Sequence, residues 1–294
     1  MAKDLFGNEI IEDVLLRDKF IEPPFSILDT RGGNWQARKR RWSMLGMKSE
    51  EGRKEELTYI GAASKFDYYR VKEGKRETTD EQSTSIFDPA LTELMYHWFC
   101  PAGGIILDPF AGGSVRGIVA NYLGFHYMGI DLREEQIESN KEQGLKILPN
   151  NCPEWLCGDS DKLLNNFERQ FDFIFSCPPY YNLEVYSDLP DELSNMSYEA
   201  FKVKYESIIL KCVKLLKRGS FACFVVGEIR DKSGYYLDFV SDTKKAFINS
   251  GAKLYNDCIL LNVVGSASMR AAKVFESGKK VTKIHQNVLI FKKA

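Results

Sequence analysis

The stretch that most constrains the fold lies between residues 101 and 131. Pro101-Ala102-Gly103-Gly104 turns into Ile105-Ile106-Leu107, a short apolar strand. Asp108-Pro109-Phe110-Ala111-Gly112-Gly113-Ser114 follows at its end. Val115 to Leu123 reads as a helix, and Gly124 stops it. Phe125 to Ile130 is a second strand with Asp131 at its tip. A strand, a crossing helix and a second strand make half of a nucleotide-binding βαβ unit. The glycines let the backbone approach a ligand, and the helix N-terminus faces it. Asp131 lies 18 residues beyond Gly113, near the ~20 expected of a carboxylate that accepts ribose hydroxyls.

The loop does not fit a dinucleotide. With Gly113 as the second glycine of G-x-G-x-x-G, Ala111 and Arg116 would fill the first and third places. Asp108 on the strand end would repel a pyrophosphate and attract an ammonium or sulfonium group. The spacing therefore suits a nucleoside with a cationic tail, of which S-adenosyl-L-methionine is one.

The β/α alternation continues. Arg133 to Gln143 reads as a polar helix stopped by Gly144, and Trp155 to Ser160 as a third strand ending in an acid, Asp159. An acid there can accept the exocyclic amine of an adenine. Residues 171–176 are a fourth strand. Further strands are expected at Phe221 to Val226, Lys253 to Leu261 and His285 to Lys292, with helices at 89–100, 198–217 and 238–250. Asp88 and Pro89 suit the cap and first residue of the helix at 89–100, and Ser197 suits the cap of the helix at 198–217. The fold class is α/β, with the acids at the carboxyl ends of consecutive parallel strands and so along one edge.

The fourth strand runs into Cys177-Pro178-Pro179-Tyr180. Prolines cannot donate to a ladder, so the strand stops in a rigid corner whose carbonyls lack sheet partners. An aromatic ring stands beside them. That suits a planar ring carrying an amino group: Tyr180 stacks on the face and the carbonyls accept the N–H bonds.

Residues 31–42 form the densest basic cluster, with Arg31, Arg38, Lys39, Arg40 and Arg41 among the tryptophans Trp35 and Trp42. Basic side chains interleaved with aromatics suit phosphates and exposed bases, and equally a solvated helix face whose tryptophans pack inward. A second basic segment, 263–283, reads as a loop and carries Arg270, Lys273, Lys279, Lys280 and Lys283. The net charge of −1 excludes a globally basic binder and leaves room for a local basic face. Residues 48–84 read as a polar linker, which divides the chain into an N-terminal extension, 1–84, and a catalytic domain, 85–294. No apolar run approaches the ~18 residues of a membrane span. The seven cysteines form no CxxC pair, and the three histidines, at 97, 126 and 285, make no metal-ligand spacing. Reduced thiols in a cytoplasmic protein, with neither zinc nor other metal, are expected.

The Asp-Pro-Phe-Ala-Gly-Gly-Ser loop followed by a strand ending in Pro-Pro-Tyr resembles the amino-methyltransferases of DNA, which methylate adenine N6 or cytosine N4 with S-adenosyl-L-methionine. The resemblance covers residues 85–293. The N-terminal Pro-Pro-Phe-Ser-Ile-Leu-Asp-Thr-Arg and Trp-Gln-Ala-Arg-Lys-Arg segments resemble the stand-alone DNA methylases of phages and prophages. The resemblance implies a Rossmann-like class I methyltransferase fold: a mostly parallel seven-stranded sheet, helices on both faces and an antiparallel last strand. It implies that Asp108, Phe110, Gly112 and Gly113 cradle the methionine end. Asp131 would hold the ribose, and Asp159 with Ser160 the adenine. Ser85, Ile86 and Phe87 would close over the cofactor. Cys177, Pro178, Pro179 and Tyr180 would form the catalytic corner, with DNA as the partner. DNA contacts are expected from Arg31, Trp35, Arg38, Lys39, Arg40, Arg41, Arg270, Lys273, Lys279 and Lys280.

Two departures stand out. Cys177 replaces the family's Asp, Asn or Ser, and a thiol accepts hydrogen bonds poorly. The loop reads Gly-Gly-Ser where the family has Gly-Ser-Gly. The base stays open, as does the oligomeric state, a homodimer included. Transfer to RNA or to a protein glutamine, cytosine C5 chemistry through Cys177, and binding without catalysis remain rival readings.

Overall fold

The computed structural model describes residues 16–47, 87–179, 196–231, 233–265 and 267–294. Ser85, Ile86 and Tyr180 lie outside them.

In chain order the elements are α1 (Leu16–Phe20), β1 (Ile27–Asp29), α2 (Gly33–Ser43), α3 (Pro89–Phe99), β2 (Ile105–Asp108), α4 (Val115–Tyr122) and β3 (His126–Asp131). There follow α5 (Glu134–Ile147), β4 (Glu154–Cys157), α6 (Ser160–Leu163), β5 (Phe171–Ser176), α7 (Tyr198–Leu215) and β6 (Leu216–Val226). The chain ends with α8 (Phe239–Asn249), β7 (Ala252–Leu261), α9 (Ala267–Gly278) and β8 (His285–Lys293). One eight-stranded sheet has the order β1-β7-β8-β6-β5-β2-β3-β4. Among the described strands only β8 pairs antiparallel, on both its sides. The α/β expectation and the antiparallel last strand hold. The expected strand count of seven does not, because β1 adds a parallel strand beside β7. Three residues, Ile27 to Asp29, are too short to show a period in sequence.

The sheet is buried on both faces. On β5, Phe173 and Phe175 join α3, α4 and the two buried tryptophans of α2, whereas Ile174 joins α7 and α8. This division follows from the alternation of side chains along a strand. Helix α3 starts where its sequence says it should: Asp88 accepts from the N–H groups of Ala90 and Leu91, with Pro89 in the first turn. Ser197 caps α7 through the N–H of Ala200.

Several boundaries differ from the sequence reading. Gly144 lies inside α5 and is no stop. A Cβ there would sit 2.8 Å from the Cys152 sulfur and from the Trp155 ring, so this glycine serves packing. Helix α7 passes directly into β6, whose Leu216 pairs with Phe171. The 263–283 segment is not a plain loop, since α9 occupies most of it, with none of its residues buried. Residues 27–43, expected in an extension, supply a sheet strand and two core tryptophans. Among the described residues no helix is long and apolar enough to cross a membrane. All seven cysteines are free thiols.

Candidate active site

The four strands β5, β2, β3 and β4 are neighbours and run in one direction. Their carboxyl ends therefore carry Ser176, Asp108, Asp131 and Cys157 along a single edge, the place where open α/β sheets bind ligands.

The glycine loop is pinned from three sides. The Gly112 N–H donates to the Asp131 carboxylate at 2.9 Å. The Gly112 carbonyl accepts from the Asn140 side-chain amide at 2.7 Å. The Ser160 hydroxyl donates to the Pro109 carbonyl at 2.6 Å. Gly112 has φ +51°, a conformation glycine adopts without strain, and no atom lies within 4 Å of the position a Cβ would take. Space is thus kept open beside the loop. Ser114 explains the Gly-Gly-Ser order: it is buried, and its hydroxyl turns away to the Gln143 side chain at 3.0 Å. Asp131 accepts from Gly112 on one oxygen and from the Arg133 N–H on the other at 3.0 Å. The Arg133 guanidinium also lies 3.7 Å from that second oxygen.

Asp108 differs from its expected role. It is fully buried, and both oxygens are committed. One accepts from the Ser176 hydroxyl at 2.5 Å and the Phe110 N–H at 3.2 Å. The other accepts from the Arg116 guanidinium at 2.5 Å and the Tyr127 hydroxyl at 2.8 Å. The carboxylate is therefore not free to attract a cationic tail. It is the hub that ties β2 to β5, to β3 and to α4. Arg116, 4% exposed, also donates to the carbonyls of Phe110 at 2.6 Å and Ala111 at 2.9 Å. Its guanidinium lies 4.5 Å from the centre of the Phe87 ring. Burial opposes its charge, yet Asp108 beside it holds its pKa above the ordinary arginine value. Burial likewise pushes the Tyr127 hydroxyl well up, with the Asp108 charge adding to it.

Three other expected cofactor residues also have prior engagements. Asp159 caps α6 through the Asp161 N–H and pairs with Lys204 at 3.0 Å, so the adenine contact expected of it meets an already bridged carboxylate. Phe110 turns its ring toward Tyr205 and Phe224, leaving its backbone to the loop. Phe87 packs edge-on against Phe175 at 5.6 Å. In the corner, Cys177 is half-buried, Pro178 buried and Pro179 half-buried, directly after β5.

The basic segments meet this edge from the far end of the sheet. The N–H and hydroxyl of Thr30 both donate to the Leu261 carbonyl, at 3.2 and 2.6 Å. Residues 31–42 and 263–283 thus leave from one point at the ends of β1 and β7. The expected DNA contacts divide sharply. Trp35 is 3% exposed and donates its indole N–H to Asp88 at 3.1 Å, which removes it from reach of a base. Arg38 pairs with Glu93 at 2.6 Å, and the same carboxylate accepts the Trp42 indole N–H at 2.7 Å. Arg31 is exposed but forked onto Asp29, whose carboxyl it holds down at about 2. Lys39 approaches Asp88 at 3.7 Å. Arg40, Arg41, Lys273, Lys279 and Lys280 are exposed, and Arg270 is half-buried. The residues that sequence reasoning missed are Arg116, Tyr127, Asn140 and Ser176. An arginine in the third-glycine place was the visible signal for the first. Among the described residues no group of three or more His, Cys, Asp and Glu could hold a metal.

Residues 27–142 match the family model of the N6/N4 DNA methylases. The match opens on β1 and ends in α5, so it includes the glycine loop and Asp131. No curated protein sequence matches the chain. Among solved structures, the [4+2]-cyclase SpnF superposes with a TM-score of 0.50 at 15% identity, over 74% of this chain and 84% of that one. TrmN from Thermus thermophilus gives 0.48 at 15% identity, over 71% of this chain and 49% of that one, so the chain spans about half of its length. Magnesium protoporphyrin IX methyltransferase from Synechocystis PCC 6803, solved with bound SAM, gives 0.45 at 12% identity, over 80% and 94%. The architecture is the Rossmann-like methyltransferase fold. Residues 27–142, less than half of the chain, thus resemble the N6/N4 DNA methylases, within a Rossmann-like methyltransferase fold.

Proposed function

We propose that this protein transfers a methyl group from S-adenosyl-L-methionine to the exocyclic amine of a base in DNA, adenine N6 or cytosine N4. One observation carries the reading. A glycine loop held open by Asp131 and Asn140 is bonded, through Asp108 and Ser176, to the proline corner that ends β5. The glycine loop and the strand end that leads into the corner are therefore tied together by hydrogen bonds. The residues fit the cofactor where it most needs room: the open space at Gly112 suits the methionine end, and the carboxylate of Asp131 suits ribose hydroxyls.

When bound, the cofactor supplies an electrophilic methyl on a sulfonium that is already a good leaving group. The protein then has to present the nucleophile. An amino group on an aromatic base holds its lone pair in the ring. Carbonyl acceptors at the corner, Pro178 first, would take its N–H bonds and favour a pyramidal nitrogen. Cys177 accepts weakly, so the main chain carries this role. Tyr180, outside the described residues, is proposed to stack on the base. The rate then comes from position and fixed dipoles. Taking the base out of a duplex costs a few kcal/mol, which stacking partly returns. Arg40, Arg41, Lys273, Lys279 and Lys280 are the exposed cations proposed to meet the phosphates.

Purified protein with methyl-labelled S-adenosyl-L-methionine tests this against duplex DNA, RNA and a mixed protein substrate. Label is expected in the DNA, as N6-methyladenine or N4-methylcytosine. Label in RNA or protein with bare DNA would overturn it. Tyr180→Ala is expected to lose turnover far more than cofactor affinity, and equal losses would remove the stacking role.

A further inference from the structure

We propose that Arg116 is a positioning residue that sets the charge of the methyl-donor pocket, by neutralising Asp108 and clamping the glycine loop in one step. The proposal rests on the methyltransferase reading above and concerns how that site discriminates its ligands.

Arg116 joins the end of β2, the start of the glycine loop and Phe87. Its Nε bonds Asp108 at the end of β2. Its Nη2 holds the carbonyls of Phe110 and Ala111, immediately before Gly112. Its face lies over Phe87, next to the segment expected to close over the cofactor. Its own carbonyl accepts the Tyr96 hydroxyl at 2.9 Å, which anchors the first turn of α4 to α3. The titratable groups that face the guanidinium are Asp108, which is bonded to it, Tyr127, which shares the carboxylate oxygen, and Cys177 and Tyr96, which interact with it electrostatically.

The consequence is electrostatic. Asp108 alone would place a buried negative charge beside the open loop, and would favour a sulfonium over the neutral thioether left after transfer. Paired with Arg116, the two present no net charge. The pocket then keeps little bias between S-adenosylmethionine and S-adenosylhomocysteine from this source, so the product is not expelled for want of charge and the donor is not trapped by it. A buried carboxylate also escapes the cost of an unpaired charge. Arginine suits the place better than lysine, because one planar fork serves a carboxylate and two carbonyls together.

The test measures equilibrium binding of both nucleosides, by calorimetry, to the wild type and to Arg116→Gln, Asp108→Asn, Arg116→Lys and the double variant Asp108→Asn with Arg116→Gln. In Arg116→Gln the affinity ratio of S-adenosylmethionine to S-adenosylhomocysteine is expected to rise about tenfold, because Asp108 is left without its counter-charge. In Asp108→Asn the ratio falls by a similar factor, since Arg116 is left uncompensated. Arg116→Lys and the double variant return to the wild-type ratio. A purely structural role would weaken both ligands together and leave the ratio unmoved in every variant, which would overturn the proposal. Should Arg116→Gln fail to fold, Asp108→Asn and the double variant carry the same decision. Wild type that binds neither nucleoside would contradict the cofactor reading itself and be distinguishable from an unmoved ratio.

Discussion

The two halves of the sheet use charge in opposite ways. On the β5-β2-β3-β4 side, the charges at the strand ends are buried and spent on one another: Asp108 with Arg116, Asp159 with Lys204. On the β1-β7-β8 side the cations are many, but their fates vary. Arg38 and the tryptophans of α2 are drawn into the core by Glu93 and Asp88, whereas Arg40 and Arg41 stand in solvent. A basic cluster in sequence is thus not one surface. Adjacent residues of a single helix divide between holding the helix to its neighbour and facing outward, because the turn of the helix alternates their direction. The buried half spends its charges on geometry, and the other half leaves several in solvent.

The largest expected effects break the buried half. Arg116→Met leaves Asp108 buried without its ion, and the loss of stability in urea is expected to be about 3–5 kcal/mol. Trp42→Ala should cost about 3–5 kcal/mol in the same assay, although it lies in the basic segment. A loss below about 1 kcal/mol would return α2 to the solvated role that its composition alone allows. A smaller effect is expected at the loop. Gly112→Ala forces an alanine into left-handed backbone at φ +51°, for about 1–2 kcal/mol. Because the space there is open, the larger consequence is weaker cofactor binding, read by calorimetry. The smallest structural effect belongs to the exposed half. Arg40→Ala with Arg41→Ala should change stability by less than about 0.5 kcal/mol. The same pair should lower the salt slope of DNA binding by about 1 for each arginine. A double variant that unfolds, or that keeps the full salt slope, would erase the contrast between the halves.

Legibility followed the range of the interactions. The Asp88-Pro89 start of α3 is a local signal and could be read directly. So could Gly124, whose positive φ of +83° lies just beyond α4. Gly144 carries the same letter, yet its meaning depends on Trp155 and Cys152 across a helix–strand contact that sequence does not display. Strand β1 was hidden because its partner, β7, lies more than 200 residues away. Asp108 was placed correctly on the strand end, but its role was misread. Its oxygens are filled by Ser176, Tyr127 and Arg116, and only the fold brings those three together. The acid-and-glycine pattern therefore placed Asp108 and Asp131 on one sheet edge. It did not tell how each acid is engaged: Asp108 is filled by three side chains from other elements, whereas Asp131 holds the Gly112 N–H and Arg133.

The central claim is transfer to an exocyclic amine of DNA at the edge formed by the buried half. It is tested most directly by digesting DNA from cells that express the protein and identifying the nucleosides by mass spectrometry, beside cells expressing Tyr180→Ala. The account predicts N6-methyladenine or N4-methylcytosine in the first sample and its loss in the second. Unmodified DNA from cells in which the purified protein is shown to bind S-adenosyl-L-methionine would contradict it and leave the fold with another acceptor.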